Sequence, residues 1–404
     1  MVFRAWQAAI SHVLLQLDRY SLPGRLAVPR VKLFKAKEDV APEHHALYDE
    51  LAAMRGRLSG PASVVMYSPG LSKPWNDQSE FLHRETIVDK GLAELAICAA
   101  ARERDCPYIW NAHAKKARKG GISEATLNAT RDNTALDELP PHEAAVVRYA
   151  RQLMRSNRVG QATFDALLNA QGPQWLVELT GLISRYAALA GILNSFEVLP
   201  KADAKPLPLP MPHASISSAP VAPLHATPRV MPITAREQVA EADRATFDAM
   251  SKARGVLRGP YSILMYSPKF CLLVDAVSRY LRRHSLVKPE YGELCIIAVA
   301  REKDCPYVWA AHIVAARKAG VSEAAIAAVR ERSSLTGLQQ QAAEIVEYVR
   351  QLHRSHRVTQ ALFDRLCERH GIPWLVELTA IIGHYGMVTA QLKAFEVSPC
   401  ADGE

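Results

Sequence analysis

The sequence predicts an all-α fold built as two tandem homologous helical domains joined by a proline-rich linker. Three observations predict it. A long segment of the 404-residue chain is repeated at a fixed offset of 199 positions, each copy has helical periodicity, and prolines are concentrated between the copies. A repeat of this length lets each copy bury its own hydrophobic core, and it is too long for one turn of a solenoid.

The repeat is clearest in a twenty-residue segment that runs from Glu94 to His113 and returns from Glu293 to His312. About 170 residues align without a gap. Shorter matches at the same offset lie on both sides of this segment, at 66–69 with 265–268, 175–180 with 374–379 and 196–198 with 395–397. A single offset over this length indicates a duplicated domain.

The predicted boundaries follow from the repeat and from the linker composition. They are an N-terminal arm at 1–27, a first domain at 28–200, a linker at 201–227 and a second domain at 228–400. The arm is expected to form an amphipathic helix. The linker holds six prolines, so it is expected to be extended and to run along the surface.

Helices are predicted wherever apolar residues recur at i, i+3, i+4 and i+7. Ser123 and Pro141 mark two helix starts, and Gly121 follows a basic helix end. Six to eight helices are expected in each copy. In the first copy the predicted ranges are Glu43–Met54, Leu92–Glu103, Ile109–Lys119, Glu124–Arg131, Pro141–Ser156, Ala162–Gln171 and Trp175–Phe196.

Composition limits the class of protein. A hydrophobic fraction of 49% with 22% charged residues is ordinary for a globular protein, and no apolar run suggests a membrane span. The chain has seven cysteines, an odd number, and no Cys-x-x-Cys pair, which favours reduced thiols in the cytoplasm. The net charge of +8 is dispersed, so it fits a solvated basic surface or attraction of a small anionic substrate. No nucleic-acid-binding module is recognisable, and neither nucleic acid nor membrane is expected as a partner.

Each copy carries a carboxylate, a thiol and an imidazole at one spacing: Glu94, Cys106 and His113, and again Glu293, Cys305 and His312. These groups transfer protons or attack electrophiles, so all six are candidate catalytic residues. The Cys-Pro step predicts that a helix begins at Cys106 or Pro107. A cysteine at a helix start is expected to have a lowered pKa and raised reactivity. The carboxylate can reach the imidazole only if their two helices pack together.

This arrangement resembles the carboxymuconolactone decarboxylase / alkylhydroperoxidase D superfamily, whose small domains are all-helical. The alkylhydroperoxidase branch carries Glu, then Cys-x-x-Cys, then His. Here the first cysteine is present in both copies, but the second is replaced by Ile109 and by Val308. The decarboxylase branch keeps the Glu and the His at the same separation and needs no cysteine pair.

Three functions remain open. The first is a cofactor-independent decarboxylase, or a related lyase or isomerase, that uses Glu/His acid–base chemistry on a small anionic lactone or keto acid. The second is a thiol-dependent peroxidase or reductase with one cysteine per domain. An intramolecular disulfide cycle needs two neighbouring thiols, which Ile109 and Val308 cannot supply. The third is a non-catalytic, ligand-binding relic of the fold, against which the intact Glu and His of both copies argue.

Further residues are predicted to line the site. Trp110, Trp309, Tyr108, Tyr307 and His384 are candidate substrate-binding residues. No metal site and no cofactor are expected, because the sequence has no phosphate-binding glycine loop and no cluster of metal ligands.

The two copies differ around the motif, since Arg185 aligns with His384, His83 with Arg282 and Trp75 with Val274. One site is therefore expected to dominate, or the two sites to differ in substrate. The resemblance also implies assembly, because single-domain members form hexamers or related rings. Two domains per chain predict a homotrimer, with a homodimer as the next choice.

Overall fold

The computed structural model describes residues 28–56, 58–200, 207–208 and 227–399. The predicted arm at 1–27 and nearly all of the linker at 201–227 lie outside these residues. No strand occurs in the described part of the chain, so the predicted all-α class is confirmed.

The first half contains eight α-helices within its described residues. They are α1 (His45–Arg55), α2 (Pro61–Val65), α3 (Pro69–Glu80), α4 (Lys90–Glu103), α5 (Pro107–Lys119), α6 (Glu124–Asp132), α7 (Pro141–Ser156) and α8 (Gln161–Ser195). The sequence prediction missed α2 and α3, which are short or polar and have no clear apolar stripe. Helix α8 is broken at Gly172 (φ 81°), between the two helices predicted there.

The second half repeats this order in its described residues. Its helices are α9 (Arg244–Arg254), α10 (Pro260–Leu264), α11 (Pro268–Arg283), α12 (Pro289–Glu302), α13 (Pro306–Lys318), α14 (Glu323–Glu331), α15 (Gln340–Arg354), α16 (Gln360–His370) and α17 (Ile372–Ala394). The break within α8 corresponds to the gap between α16 and α17, where Gly371 has a φ of 83°. The duplication seen in the sequence is therefore a duplication of topology.

Helix α4 is the central helix of the first half. Every residue from Gly91 to Arg102 is buried, and the helix packs against α5, α7 and α8. Asp89 begins it, because the side chain of Asp89 accepts hydrogen bonds from the backbone N–H groups of Gly91 and Leu92. Helix α12 has the same central place in the second half. Residues on α4 and α12 are thus held on central helices that pack against several neighbours.

The two halves join through reciprocal contacts along α8 and α17. Ser68 Oγ donates to Glu377 on α17 at 2.6 Å, and Ser267 Oγ donates to Glu178 on α8 at 2.8 Å. The two contacts are equivalent when the two halves are exchanged. Such self-complementary pairing defines a pseudo-twofold axis between the halves, as the gap-free repeat predicts.

Aromatic contacts follow the same symmetry at the ends of these helices. The rings of Phe164 and Phe395 lie 5.3 Å apart edge to face, and those of Phe196 and Phe363 do the same. Such pairs contribute about 0.5–1.5 kcal/mol beyond the area they bury. The halves therefore share one continuous core, to which α8 and α17 both contribute.

Helix α8 is, by length and hydropathy, the one described helix that could cross a membrane. Its most apolar stretch is 89% buried inside the protein, and the helix is broken at Gly172. Such burial is typical of a core helix. Packing inside the protein therefore accounts for the long apolar stretch of α8.

Candidate active site

The site of each half lies where its central helix meets the next helix. In the first half, Glu94 is on α4 and His113 is on α5, and these two helices pack closely against each other. Asp105 has a left-handed backbone (φ 45°) at the turn between them, a conformation that aspartate tolerates better than most residues. The turn brings α5 back along α4, so the nineteen-residue separation becomes a direct contact.

Glu94 and His113 form a short hydrogen bond. His113 Nδ1 lies 2.6 Å from Glu94 Oε2, and both residues are 8% exposed. Because the carboxylate accepts this bond, Nδ1 carries the hydrogen and Nε2 is left with a lone pair. The edge of the His113 ring also meets the ring of Tyr186, with 5.0 Å between the centroids. The imidazole is thus held in one orientation and one tautomer.

Two further basic groups complete the first site. His83 Nε2 lies 3.0 Å from Glu94 Oε1 and 3.2 Å from Lys116 Nζ, which is itself 3.9 Å from the carboxylate. The His83 nitrogen serves one contact at a time: with a hydrogen it donates to Glu94, and without one it accepts from Lys116. Glu94 is therefore the centre of a small basic cluster.

The environment sets opposite protonation states for the pair. Burial alone would raise the pKa of Glu94, but the hydrogen bonds from His113 and His83 outweigh it and lower the pKa to about 2. Burial lowers the pKa of His113, and the Glu94 contact offsets that shift only in part. At neutral pH the pair is a carboxylate and a neutral imidazole, which is the form of a general base.

The second half repeats the pair in a different setting. His312 Nδ1 lies 2.7 Å from Glu293 Oε2, and the edge of the His312 ring meets Tyr385 with 5.1 Å between the centroids. The positions of His83 and Lys116 are taken by Arg282 and Ala315. Both residues of this pair are partly exposed, so the second site is more open than the first.

The cysteines are placed as predicted but differ in chemistry from the prediction. Cys106 and Cys305 precede the first residues of α5 and α13, so the predicted helix start is confirmed. The expectation of a lowered thiol pKa is wrong. Burial raises the pKa of Cys106 to about 11 and also raises that of Cys305, and nearby backbone N–H groups offset this only in part. The two residues are 1% and 2% exposed.

The two residues that replace the second motif cysteine are part of the hydrophobic core. Ile109 and Val308 are each 3% exposed and belong to the hydrophobic core. The six cysteines within the described residues are all free. Neither half therefore places a disulfide partner one helical turn after its motif cysteine.

The predicted aromatic residues take different places. Trp110 is buried and Trp309 half-buried, so both serve as packing in their helices. Tyr108 packs over Gly60, where an added Cβ would lie 2.7 Å from the tyrosine hydroxyl, and Tyr307 packs over Gly259 in the same way. These contacts assign the tyrosines a structural role, and substrate contact by any of the four remains a prediction.

His384 lies behind the second site. It is 1% exposed, its Nε2 lies 2.7 Å from Ser278 Oγ, and burial lowers its pKa to about 3. Its ring meets Tyr385, which in turn meets His312. In the first half Arg185 takes this position, bonding Ser79 and stacking over Trp75. His384 thus reaches the site through Tyr385, and its predicted role in substrate binding remains a prediction.

Sequence reasoning did not single out His83, Lys116, Tyr186 or Tyr385 as members of the site. A signal existed for the tyrosines, because Tyr186 and Tyr385 are related by the repeat offset. For His83 and Lys116 there was none, since neither is repeated in the second copy.

His83, Glu94 and His113 also form the one group of described residues whose ligand atoms lie close enough to hold a metal, within 4.8 Å of one another. Lys116 Nζ lies beside His83 Nε2, and its charge repels a cation there. The set is not repeated, because Arg282 replaces His83 in the second half. The residues therefore fit a proton relay better than a metal centre.

The fold and the two Glu–His pairs define a tandem protein of small helical domains with a Glu–Cys–His motif in each. The profile of the carboxymuconolactone decarboxylase family matches residues 69–152 and, a second time, residues 268–351. Each half of the chain therefore carries one region that matches this family, and the two regions lie in tandem. Comparison with curated proteins finds no match.

Proposed function

We propose that this protein is a cofactor-independent carboxymuconolactone decarboxylase-like enzyme, of lyase or isomerase type, that acts on a small anionic lactone or keto acid. The observation that carries the proposal is the hydrogen bond between Glu94 and His113, which recurs between Glu293 and His312. A carboxylate-oriented imidazole is a general acid–base catalyst, and both copies keep it.

The imidazole is the proton carrier in the proposed reaction. In a decarboxylation, the carbon–carbon bond to the departing CO₂ leaves its electron pair on the substrate as an enolate. Nε2 of His113 or His312 takes a proton from solvent and delivers it to that carbon. In an isomerisation, the same nitrogen removes a proton from the carbon next to the lactone carbonyl and returns it elsewhere. Glu94 or Glu293 stabilises the imidazolium form in either case.

The charges around the pairs suit an anionic substrate. Lys116 and His83 lie at the first pair, and Arg282 acts electrostatically on Tyr385 beside the second. A positively charged neighbour attracts a carboxylate and stabilises a developing enolate.

Thiol chemistry has less support. The motif thiols are buried with raised pKa values, and the position of a resolving cysteine holds Ile109 or Val308. The reactive species in a peroxidase is the thiolate, which these surroundings disfavour.

The test is a screen of the purified protein against carboxylated lactones and β-keto acids, followed by CO₂ release and ultraviolet absorbance. The double variant His113→Ala/His312→Ala is expected to lose about 10²–10⁴ in rate, the usual contribution of a general acid or base. The matched control, Cys106→Ser/Cys305→Ser, is expected to keep most of the activity. The single His variants identify the working site.

The opposite order of effects would overturn the proposal. If both Cys variants abolish turnover while the His variants are only slowed, the reaction is thiol-based. Activity against peroxides without activity against any lactone or keto acid would lead to the same conclusion.

A further inference from the structure

A second site lies between the two halves, apart from both Glu–His pairs. It is a cavity of about 50 Å³ beside the contact between α8 and α17. Its polar lining includes Ser184, Asn194 and Arg104 from the first half and Lys303, His353 and His356 from the second. Apolar residues, among them Met154, Leu352 and Ile382, form much of the remaining wall. None of Glu94, His113, Glu293 or His312 borders it.

The cavity gathers cationic groups from both halves. Arg104 and Lys303 are related by the repeat offset, so each follows the end of the central helix in its own half. His353 and His356 lie at and just beyond the end of α15. The pseudo-twofold arrangement therefore brings two equivalent basic positions to one place and adds two imidazoles that the first half lacks.

The carboxylates nearest in sequence are paired elsewhere. Glu103 is bound by Arg155 at 2.7 Å, Glu302 by Arg354 at 2.8 Å, and Asp105 by Arg102 at 2.8 Å. Among the ion pairs of the described residues, none includes Arg104 or Lys303. Glu103 and Asp105 act on Arg104, and Glu302 acts on Lys303, through their charge but without a direct ion pair.

The polar contacts of these groups are weak or neutral. Arg104 Nη1 lies 3.4 Å from His356 Nδ1, and Lys303 Nζ donates to the Asn157 amide oxygen at 3.0 Å. His353 Nε2 is buried and has no hydrogen-bond partner in the described part of the chain. A buried nitrogen in this state is costly unless a ligand or water satisfies it.

We propose that this cavity binds one small tetrahedral oxyanion, such as phosphate or sulfate, between Arg104, Lys303 and His353. Its volume corresponds to roughly four water molecules, and a tetrahedral oxyanion places four oxygens in such a space. Residues that carry hydrogen-bond donors line it from both halves, so a bound anion joins the halves. Hydrogen bonds between ionised partners are the strong ones.

Burial disfavours the charged forms of these groups in the cavity. Burial lowers the pKa of Lys303 well below its ordinary value, and the charge of Arg104 lowers it further. Burial lowers the pKa of His353, as do the charges of Lys303, Arg104 and Arg354. A bound dianion opposes these shifts, so binding is accompanied by uptake of protons by the protein.

The experiment is isothermal titration calorimetry of the full chain with sodium sulfate, at ionic strength held constant with sodium chloride. Sulfate is the first probe because it does not titrate near neutral pH, and inorganic phosphate is the second. We expect one saturable site per chain. We also expect a binding heat that changes with the ionisation enthalpy of the buffer, which reports proton uptake.

Substitutions locate the site. Arg104→Met and Lys303→Met are each expected to weaken sulfate binding at least tenfold. Lys303→Arg keeps the charge, by introducing the residue found at the equivalent position, and is expected to retain binding. Arg148→Met is the matched control, because it removes one exposed positive charge from α7 outside the cavity and is expected to leave binding unchanged.

Thermal unfolding separates loss of binding from loss of fold. Sulfate stabilises many proteins non-specifically, so the relevant quantity is the difference between variant and wild type. Without sulfate, Arg104→Met is not expected to unfold at a lower temperature, because it removes a buried charge whose pKa burial already lowers. The proposal is wrong if sulfate and phosphate do not bind, if acetate binds as tightly, or if the cavity variants bind like the control.

Discussion

At the residue scale, the Glu94–His113 contact determines what the first site can do. The sequence shows the spacing of the pair and predicts contact only if the two helices pack together. The observed distance of 2.6 Å between His113 Nδ1 and Glu94 Oε2 shows that they do. The protonation state of His113 could not be predicted from the sequence. It depends on burial, which lowers the pKa of His113, and on His83 and Lys116, which come from other positions on the fold.

Glu94→Gln tests that electrostatic coupling. The substitution keeps the shape but removes the negative charge that favours protonated His113, so the pKa of the imidazole falls further. A neighbouring opposite charge typically shifts a pKa by about 1–3 units. We therefore expect the rising limb of the pH profile of kcat/KM to move to lower pH, with a slower reaction, when measured in a His312→Ala background.

Glu143→Gln is the matched control for this measurement. Glu143 is a buried carboxylate that accepts hydrogen bonds from Ser123 and Thr126, away from the pair. It is expected to leave the position of the pH profile unchanged. A profile that moves to higher pH in Glu94→Gln would show that Glu94 does not stabilise the protonated imidazole.

The buried thiols lead to a prediction about reactivity. With a pKa of about 11 and 1% exposure, Cys106 is expected to react slowly with iodoacetamide in the folded protein near neutral pH, and Cys305 likewise. Among the described cysteines, Cys367 is partly exposed and is expected to react first. Peptide mass spectrometry after timed alkylation measures each rate. Rapid labelling of Cys106 or Cys305 would restore the thiol hypothesis.

At the scale of elements, the two copies diverge just before the central helix. In the first half a π-helical turn at Phe81–Glu85 follows α3 and carries His83, whereas α11 continues as a regular helix to Arg283. Such turns are common at functional sites. The sequence does not reveal this one, because the two copies align without a gap through it although the second copy has a regular helix at the same positions. This is why His83 was not predicted to join the site.

Gly60 offers a test of how the loop before α2 is held against the helix that carries His113. Its φ is 57°, and a Cβ added there would lie 2.7 Å from the hydroxyl of Tyr108 on α5. Gly60→Ala therefore adds backbone strain and a clash, and is expected to destabilise the fold by about 1–3 kcal/mol. Gly121→Ala, at φ 89° with open space around it, is the matched control for strain alone.

Chemical denaturation of the two glycine variants measures the difference. A larger loss of stability in Gly60→Ala than in Gly121→Ala would confirm that Tyr108 packs against the loop. Equal losses would mean that the tyrosine moves aside at no cost, and its structural role would then be minor.

At the scale of the whole molecule, the repeat predicted the architecture more completely than it predicted the sites. One offset of 199 positions implied two domains of one topology, and the reciprocal bonds of Ser68 with Glu377 and Ser267 with Glu178 show how they join. The cavity between the halves could not be predicted. It depends on which residues the pseudo-twofold axis brings together, and residues such as Arg104 and His353 share no sequence motif.

Assembly is the last property that the duplication predicts. Ile87 is 50% exposed and Leu286 is 56% exposed, and the two occupy equivalent positions in the two halves. Each half therefore has an exposed apolar residue at the same place on its surface. The family resemblance implies rings of six domains, which three chains would supply.

We expect size-exclusion chromatography with light scattering to give about 134 kDa, three times the 44.6 kDa chain. Ile87→Lys/Leu286→Lys is expected to weaken that assembly, while Lys115→Ala, a change at an exposed site, is expected to leave it intact. A stable species at the mass of one chain would rule out the trimer, and a mass of two chains would favour the homodimer.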